Sequence, residues 1–257
     1  MKMGAWRETL SQDVRYAVRQ LGRSPAFTVV AVLTLALGIG MNTAIFSVVD
    51  GILFRPLPFE EPEELVNVWS DVTRRGGPDD EWLSYANFAD LRDDARTLEA
   101  AAAWGGWAPT WTDPEQPEQL LGAQVTRGMF SRVLRVEPSL GSGLRPEDDT
   151  PGAPPRVVLS DGFWRRAFGA DPSVVGRSLT LNGAAMEVAG VMPRGLRPPF
   201  VPDAELWTSP GLDPELQAQR RGGFSWRVVA RVADGSDPAA ADAELRGLGG
   251  RLAATYP

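Results

Sequence analysis

The stretch FTVVAVLTLALGIGMNTAIFSVV, Phe27–Val49, decides the fold class of this chain. It lies within Ala26–Val49, a stretch of 24 residues without a charged side chain. A helix of that length, at 1.5 Å per residue, measures roughly 36 Å and can cross a bilayer core with some tilt. A signal peptide has a shorter apolar region of about 7 to 15 residues, followed by a small-residue cleavage motif. We therefore interpret residues 26–49 as a retained transmembrane helix.

The charges on either side of the span predict its orientation. Five basic side chains precede it, against two acidic ones: Lys2, Arg7, Arg15, Arg19 and Arg23, with Glu8 and Asp13. In the twenty residues after the span, the one basic side chain is that of Arg55. The positive-inside rule therefore places the N-terminus in the cytoplasm and the chain after about Asp50 outside it. Within residues 1–25, apolar residues recur at helical spacing, which predicts a cytoplasmic amphipathic segment at the membrane surface.

The composition excludes several classes of function. The sequence has no histidine and no cysteine, which excludes disulfides, thiol and histidine catalysis, and His or Cys metal sites. Its one lysine, Lys2, lies before the membrane, so a Walker A phosphate loop is absent. Residues 50–257 carry 21 basic and 31 acidic side chains, a net charge of −10 that disfavours a nucleic-acid partner. We expect a chain that is not an enzyme, with no catalytic residue, cofactor or metal site.

The span carries a stripe of small residues. Ala36, Gly40 and Ala44 lie four residues apart, a spacing that lets another membrane helix approach closely, and Asn42 is polar at membrane depth. We predict that these four residues form a helix-packing site. The alternative is that they are simply tolerated next to lipid.

The extramembrane part begins and ends with similar units. "LVNVWS" predicts a strand, and Ser84 then caps a helix whose apolar face is predicted to extend from Phe88 to Leu98. "RVVARV", residues 227–232, predicts another strand, followed by a helix that starts at Pro238. Between these units lie short predicted strands, with a hairpin at Asn182-Gly183. The pattern predicts an α+β ectodomain of two lobes: a discontinuous lobe, residues 57–104 and 222–257, and an inserted β-rich lobe, residues 105–221.

Several stretches in this order resemble the MacB-like periplasmic core domain of ABC-type, FtsX-like permeases, particularly the duplicated permeases without a fused ATPase. They are DVRYAVRQLGRSPAFT (13–28), TLALGIGMNTAIFSVVDGILFRPLP (34–58), LSYANFADLRDDARTLEAAAA (83–103) and PEDDTPGAPPRVVLSDGFWRRAFGADPSVVGRSLTLNGAAMEVAGVMP (146–193). The resemblance implies that the discontinuous lobe is a porter-like lobe of βαβ units. It also implies a location in the cell (inner) membrane, with a periplasmic or extracellular ectodomain.

The resemblance further implies a non-catalytic membrane subunit of an ABC-type export or mechanotransmission system. ATP hydrolysis by a cytoplasmic ABC ATPase in trans would move the ectodomain. The family continues into three further membrane helices, whereas this sequence stops at LAATYP. We therefore expect the N-terminal portion of a permease, as a fragment, a truncated product or half of a split permease. The expected partners are the membrane, further permease helices or a second permease half, and no nucleic acid.

A second function class stays open at this stage. A single-pass membrane protein could bind a ligand or glycan outside the cell through tryptophans and carboxylates. The sequence has nine tryptophans, including Trp104, Trp107 and Trp111. Aromatic side chains contribute mainly burial, so we favour core and inter-lobe packing for them. The acidic runs at residues 79–81 and 147–149 lack the ligand spacing of a calcium loop and are interpreted as solvated loops.

Overall fold

A computed structural model describes residues 16, 19–49, 59–113, 115–212 and 214–256. The chain divides into two compact units, Met1–Leu57 and Pro58–Pro257. The first unit contains α1, an unbroken helix over Pro25–Val49 that is long and apolar enough to cross a membrane. It confirms the predicted membrane helix to within one residue. Residues 19–23 are also helical, and most of the predicted amphipathic segment lies outside the described residues.

The second unit is built on one mixed β-sheet. In chain order its strands are β1 (Leu65–Val68), β2 (Leu98–Trp107), β3 (Thr110–Trp111), β4 (Glu118–Gln119), β5 (Gly122–Val125), β6 (Leu140–Gly141), β7 (Arg156–Leu159), β8 (Ser178–Leu181), β9 (Ala184–Val191), β10 (Leu206–Thr208) and β11 (Arg227–Val232). The helices of this unit are α2 (Tyr85–Asp94), α3 (Asp161–Phe168), α4 (Pro214–Ala218) and α5 (Pro238–Thr255). Short 3₁₀ turns cover Pro62–Glu64, Thr73–Arg75, Pro146–Asp149 and Pro172–Val174, and a π-helical turn covers Met129–Leu134.

The strand order is β1-β11-β2-β5-β10-β7-β9-β8-β3-β4, with β6 added to β9. The pairs β5–β10 and β7–β9 are parallel, and the other pairs are antiparallel. The sheet runs without a break through the segments that the sequence assigns to the two lobes, because β2 pairs β5 along Trp104–Trp107. The α+β class is confirmed, and the division into two lobes stays a prediction.

Local sequence signals explain several of these elements. The Ser84 side chain accepts a hydrogen bond from the backbone N–H of Asn87 at 3.2 Å and caps α2 as predicted. Asp237 caps α5 in the same way, with Pro238 in the first turn. The Asn182-Gly183 turn joins β8 to β9, and both residues have positive φ, as a type I′ hairpin requires. One prediction is wrong in extent: α2 ends at Asp94, and Leu98 begins β2.

The two faces of the sheet bury separate apolar clusters. Alternate residues of β2 point to opposite faces, so Ala102 and Trp104 pack with the π-helical turn, whereas Ala103 packs with Phe88 of α2. A third cluster surrounds Phe163 of α3. Trp104 and Trp111 are each 8% exposed and Trp107 is partly buried, so these tryptophans contribute to packing, as favoured above.

Candidate functional site

The predicted helix-packing residues all lie on α1, and their side chains are exposed. Ala36, Gly40 and Ala44 share one face, because residues four apart on a helix nearly superpose. Asn42 does not share it: two residues correspond to about 200° of helical rotation, so Asn42 lies roughly opposite Gly40. It lies instead on the face of Gly38. Apart from the adjoining helix backbone, no described atom lies within 4 Å of a Cβ built at Gly38 or Gly40, so the described residues leave room for a larger side chain at both positions.

A polar cluster surrounds Arg231 in β11, whose side chain is fully buried. Its Nε donates to the backbone carbonyl of Val133 at 3.0 Å. Nη1 donates to the carbonyl of Glu61 at 3.1 Å, and Nη2 donates to the carbonyl of Glu60 at 2.8 Å. We call the residues that Arg231 contacts, together with Arg231 itself, the Arg231 cluster.

An ion pair completes the Arg231 cluster. Nη1 of Arg231 also donates to Oε2 of Glu64 at 2.9 Å, and the Glu64 side chain is 23% exposed. A buried charge is costly unless it is paired and its donors are satisfied. The rigid guanidinium fork meets this requirement because it can serve several acceptors in one plane, which a lysine ammonium cannot.

The cluster joins three parts of the chain. The segment 59–64 is the first described stretch after residue 49, and it leads directly into β1. Arg231 links this segment to β11, and through Val133 it links both to the π-helical turn. Phe59 at the start of the segment is 8% exposed and packs in the same apolar cluster as Val133. The segment is therefore attached to the sheet by an apolar anchor and by a buried arginine.

A second arginine, Arg135, also contacts segment 59–64. Arg135 forms an ion pair with Glu61, and its Nη2 lies 2.6 Å from Oε2 of Glu99. The hydrogen bond to Glu99, with that to Glu61, raises the pKa of the Arg135 guanidinium above its ordinary value. Glu61 and Arg135 both have left-handed backbones, with φ of 47° and 51°. Such a conformation costs a non-glycine residue roughly 1–2 kcal/mol and persists where the surrounding contacts fix it.

Carboxylates in this region lie close enough to hold a cation. Oxygen atoms of Glu61, Glu64 and Asp234 lie within 4.8 Å of one another. Two of these three groups already pair with arginines, Glu61 with Arg135 and Glu64 with Arg231. The arginines therefore supply the positive charge that a cation would otherwise bring.

The bonds of the Arg231 cluster attach separate segments of the chain to one another. Arginine stays protonated at any physiological pH, and its partners here are carboxylates and backbone carbonyls. Such a set of bonds holds the three parts of the chain together. Arg231 is not among the site residues predicted from the sequence. Its signal was a charged residue within the apolar run "RVVARV", two positions from the buried Val229 and on the same face of the strand.

Comparison with known proteins shows which family and which solved structures this chain is similar to. The family model of the MacB-like periplasmic core domain matches residues 28–248. A search of curated protein sequences finds no match. Among solved structures, the extracellular domain of the noncanonic ABC-type transporter YknZ from Gram-positive bacteria is similar, with a TM-score of 0.51 and 16% identity over 74% of this chain and 94% of that one.

A second solved structure has the same architecture. The periplasmic region of MacB from Actinobacillus actinomycetemcomitans is similar, with a TM-score of 0.52 and 14% identity over 73% of this chain and 82% of that one. At these identities the two structures establish a shared fold. The family match covers most of the sequence, including α1 from residue 28 onward and the whole sheet. The chain therefore belongs to the family of the MacB-like periplasmic core domain, which occurs in permeases of ABC-type transporters.

Proposed function

We propose that this chain is a non-catalytic permease subunit of an ABC-type export or mechanotransmission system. In this proposal, ATP hydrolysis by a cytoplasmic ATPase moves the membrane helices, and the ectodomain moves with them outside the cytoplasm. The family assignment supports the permease class. The charge asymmetry around α1 supports a cytoplasmic N-terminus and an ectodomain on the other side of the membrane.

The observation that carries the proposal is the attachment of segment 59–64 to the sheet. If motion of the membrane helix is to be transmitted to the ectodomain, the connection between them has to be rigid. Arg231 provides three hydrogen bonds to backbone carbonyls and one ion pair on its side of this connection. Because backbone carbonyls cannot swing away as side chains do, a displacement of the segment is expected to pull β11 with it.

The ATPase is proposed as a partner in trans. Residues 1–257 contain no phosphate-binding loop, which is consistent with nucleotide binding by a separate ATPase chain. We also propose further permease helices or a second permease half as membrane partners, because a single apolar helix cannot shield a polar path from lipid. The face of Ala36, Gly40 and Ala44 is proposed as the surface of α1 that meets them.

The proposal is tested by nucleotide-dependent labelling of the ectodomain. The sequence has no cysteine, so single cysteines can be introduced at exposed positions such as Glu137 without removing native thiols. The full chain is expressed in membranes of its own organism, and labelling rates with a membrane-impermeant maleimide are measured with ATP, with ATP and vanadate, and without nucleotide. We expect vanadate trapping to change the rate at a subset of ectodomain positions.

The control is the same labelling in membranes from which peripheral ATPases have been stripped. There the nucleotide effect should disappear and return when the stripped fraction is added back. Labelling rates that are identical under all nucleotide conditions, at cysteines spread over both ends of the sheet, would contradict the proposed coupling.

A further inference from the structure

Three large side chains, those of Trp69 just after β1, Arg227 of β11 and Trp104 of β2, lie next to one another across these neighbouring strands. Arg227 of β11 is the register partner of Trp104 in β2, and Val228 is the register partner of Val68, next to Trp69. Because residues alternate between faces along a strand, Trp69, Arg227 and Trp104 project from the same face. This row lies beside a cavity and contains the only charged residue that lines it among the described residues.

The guanidinium of Arg227 is held by aromatic rings. Its Cζ lies 3.6 Å from the ring centroid of Trp82 and 4.6 Å from that of Trp104. Both distances are within the range of cation–π attraction, which acts through the flat faces of the guanidinium. Stacking of this kind leaves the N–H donors free, because they point outward in the plane of the group.

Within the described residues, no carboxylate or carbonyl pairs with the Arg227 side chain. Other partly buried arginines differ in this respect: Arg156 pairs with Asp148 and Glu187, and Arg221 pairs with Asp90. The two rings fix the orientation of the Arg227 guanidinium before any ligand binds. Its N–H donors are available to hydrogen-bond an anionic ligand.

The cavity next to Arg227 has the size of one aromatic ring. Its volume is about 170 Å³. An apolar cavity of about 150 Å³ is large enough to take up benzene. The cavity beside Arg227 is lined by that residue and, among others, by Asn67, Trp69, Trp104 and Phe200. Phe200 stacks on Trp104 at a centroid distance of 5.2 Å, and Trp69 is 46% exposed, so the wall is aromatic and the mouth is open to solvent.

We propose that this cavity is a binding site for a small aromatic carboxylate. The carboxylate would accept hydrogen bonds from the guanidinium fork of Arg227, whose two parallel donors match the two oxygens of that group. The ring would lie against Trp69 and Phe200, where offset or edge-on aromatic contacts are favourable. Asn67 would add a polar contact at the mouth. The site is independent of ATPase coupling, so it stands or falls separately from the proposed function.

The test uses 4-fluorobenzoate and the full chain in detergent micelles. The fluorine resonance is followed as the ligand is titrated, and 4-fluorobenzamide serves as a neutral probe of the same shape. We expect saturable binding of the carboxylate with a Kd on the order of 1 mM, a value reasonable for a ligand of this size. The amide should bind about tenfold more weakly, because it lacks the charge that Arg227 recognises.

Variants assign the binding to the cavity. Arg227→Gln should reduce carboxylate affinity to the level of the amide, and Trp69→Ala should weaken both probes. Arg251→Gln is the matched control, since Arg251 is an exposed arginine on α5 and does not line the cavity. Trp69 is exposed enough that its truncation should leave the fold intact, which a far-ultraviolet dichroism spectrum checks.

Two patterns of binding would overturn the proposal. One is equal binding of 4-fluorobenzoate and 4-fluorobenzamide, which would indicate partitioning into micelles or a purely apolar cavity. The other is carboxylate binding that both Arg227→Gln and Trp69→Ala leave unchanged, which would place the ligand elsewhere. Absence of saturable binding by the unmodified chain would also refute it.

Discussion

Nη1 of Arg231 lies 2.9 Å from Oε2 of Glu64, and the two residues are 167 positions apart in the sequence. One belongs to β11, near the end of the described chain, and the other to the turn that precedes β1. The pair therefore joins β11 to the first segment that the structure describes after the membrane helix. This relationship leads to our first prediction.

Arg231→Met should destabilise the ectodomain strongly. The substitution removes the charge and leaves three backbone carbonyls and a carboxylate without their donor, so we expect a loss of about 3 kcal/mol in the free energy of unfolding. Chemical denaturation followed by tryptophan fluorescence measures it. Arg251→Met on the exposed surface of α5 is the control and should change the free energy by less than about 0.5 kcal/mol. Equal effects of the two substitutions would mean that the cluster contributes nothing.

Glu244 should make stability depend on pH. Its Oε2 accepts hydrogen bonds from Oγ1 of Thr97 at 2.6 Å and from the backbone N–H of Thr97 at 2.9 Å. These bonds lower the pKa of the Glu244 carboxyl below its ordinary value of 4.5. The stabilisation is therefore fully present above pH 4.5 and is lost as the pH falls through the lower pKa of the folded state.

The measurement compares the unmodified chain with Glu244→Gln across this pH range. We expect the substitution to cost about 1 kcal/mol at pH 7, with the difference shrinking as the pH falls below 4.5. Glu137→Gln, at an exposed loop position, is the control and should give no such trend. A difference that stays constant from pH 7 to strongly acidic pH would show that the ionised form of Glu244 has no special role.

Gly40→Ile should weaken the association of α1 with other permease helices. A bulky side chain on the face of Ala36 and Ala44 holds a neighbouring helix away, and association in lipid depends on close packing. Gly38→Ile makes the same change on the opposite face, which carries Asn42, and should have a smaller effect. Both substitutions should leave insertion intact, because isoleucine is at least as apolar as glycine.

Disulfide crosslinking or energy transfer in membranes measures this association. If Gly38→Ile is the more disruptive substitution, the contact face is that of Asn42, and the stripe of Ala36, Gly40 and Ala44 is not the packing surface. If neither has an effect, both faces meet lipid and α1 serves only as an anchor.

The orientation of the chain is tested by labelling from outside. A cysteine introduced at Glu137 should react with a membrane-impermeant maleimide in intact spheroplasts. A cysteine at Tyr16, before the span and 70% exposed, should react only after the membrane is permeabilised. We expect this because the basic residues flank α1 on its N-terminal side. The reverse pattern of labelling would invert the topology.

Much of the fold follows from local sequence signals. The uncharged run specified α1, Ser84 and Asp237 specified the starts of α2 and α5, and Asn182-Gly183 specified the β8–β9 hairpin. These features depend on hydrophobic length, capping and turn chemistry, all of which act over a few residues. The extent of α2 was missed because apolar spacing alone does not distinguish Leu98 on a helix from Leu98 on a strand.

The candidate site could not be predicted in the same way. Arg231 meets its acceptors in segment 59–64 and at Val133 only after the whole sheet has formed, because β1 pairs with β11 across some 160 residues of chain. Pairing between strands so far apart in the sequence produces no pattern in the local sequence of either strand. The same holds for Arg227, whose two tryptophan neighbours come from elsewhere in the chain.

The measurement that tests the account most directly is hydrogen exchange of segment 59–64 in the full chain. The central claim is that Arg231 fixes this segment to the sheet. We predict slow exchange of the backbone amide of Glu64, which donates to the carbonyl of Glu61 at 3.1 Å in the unmodified chain. Its exchange should be at least about tenfold faster in Arg231→Lys, which keeps the charge but loses the planar fork that also binds the Glu61 carbonyl. Amides in the centre of β2 should be unaffected. Exchange in the segment that is as fast as in an unfolded peptide, or unchanged by the substitution, would contradict the claim.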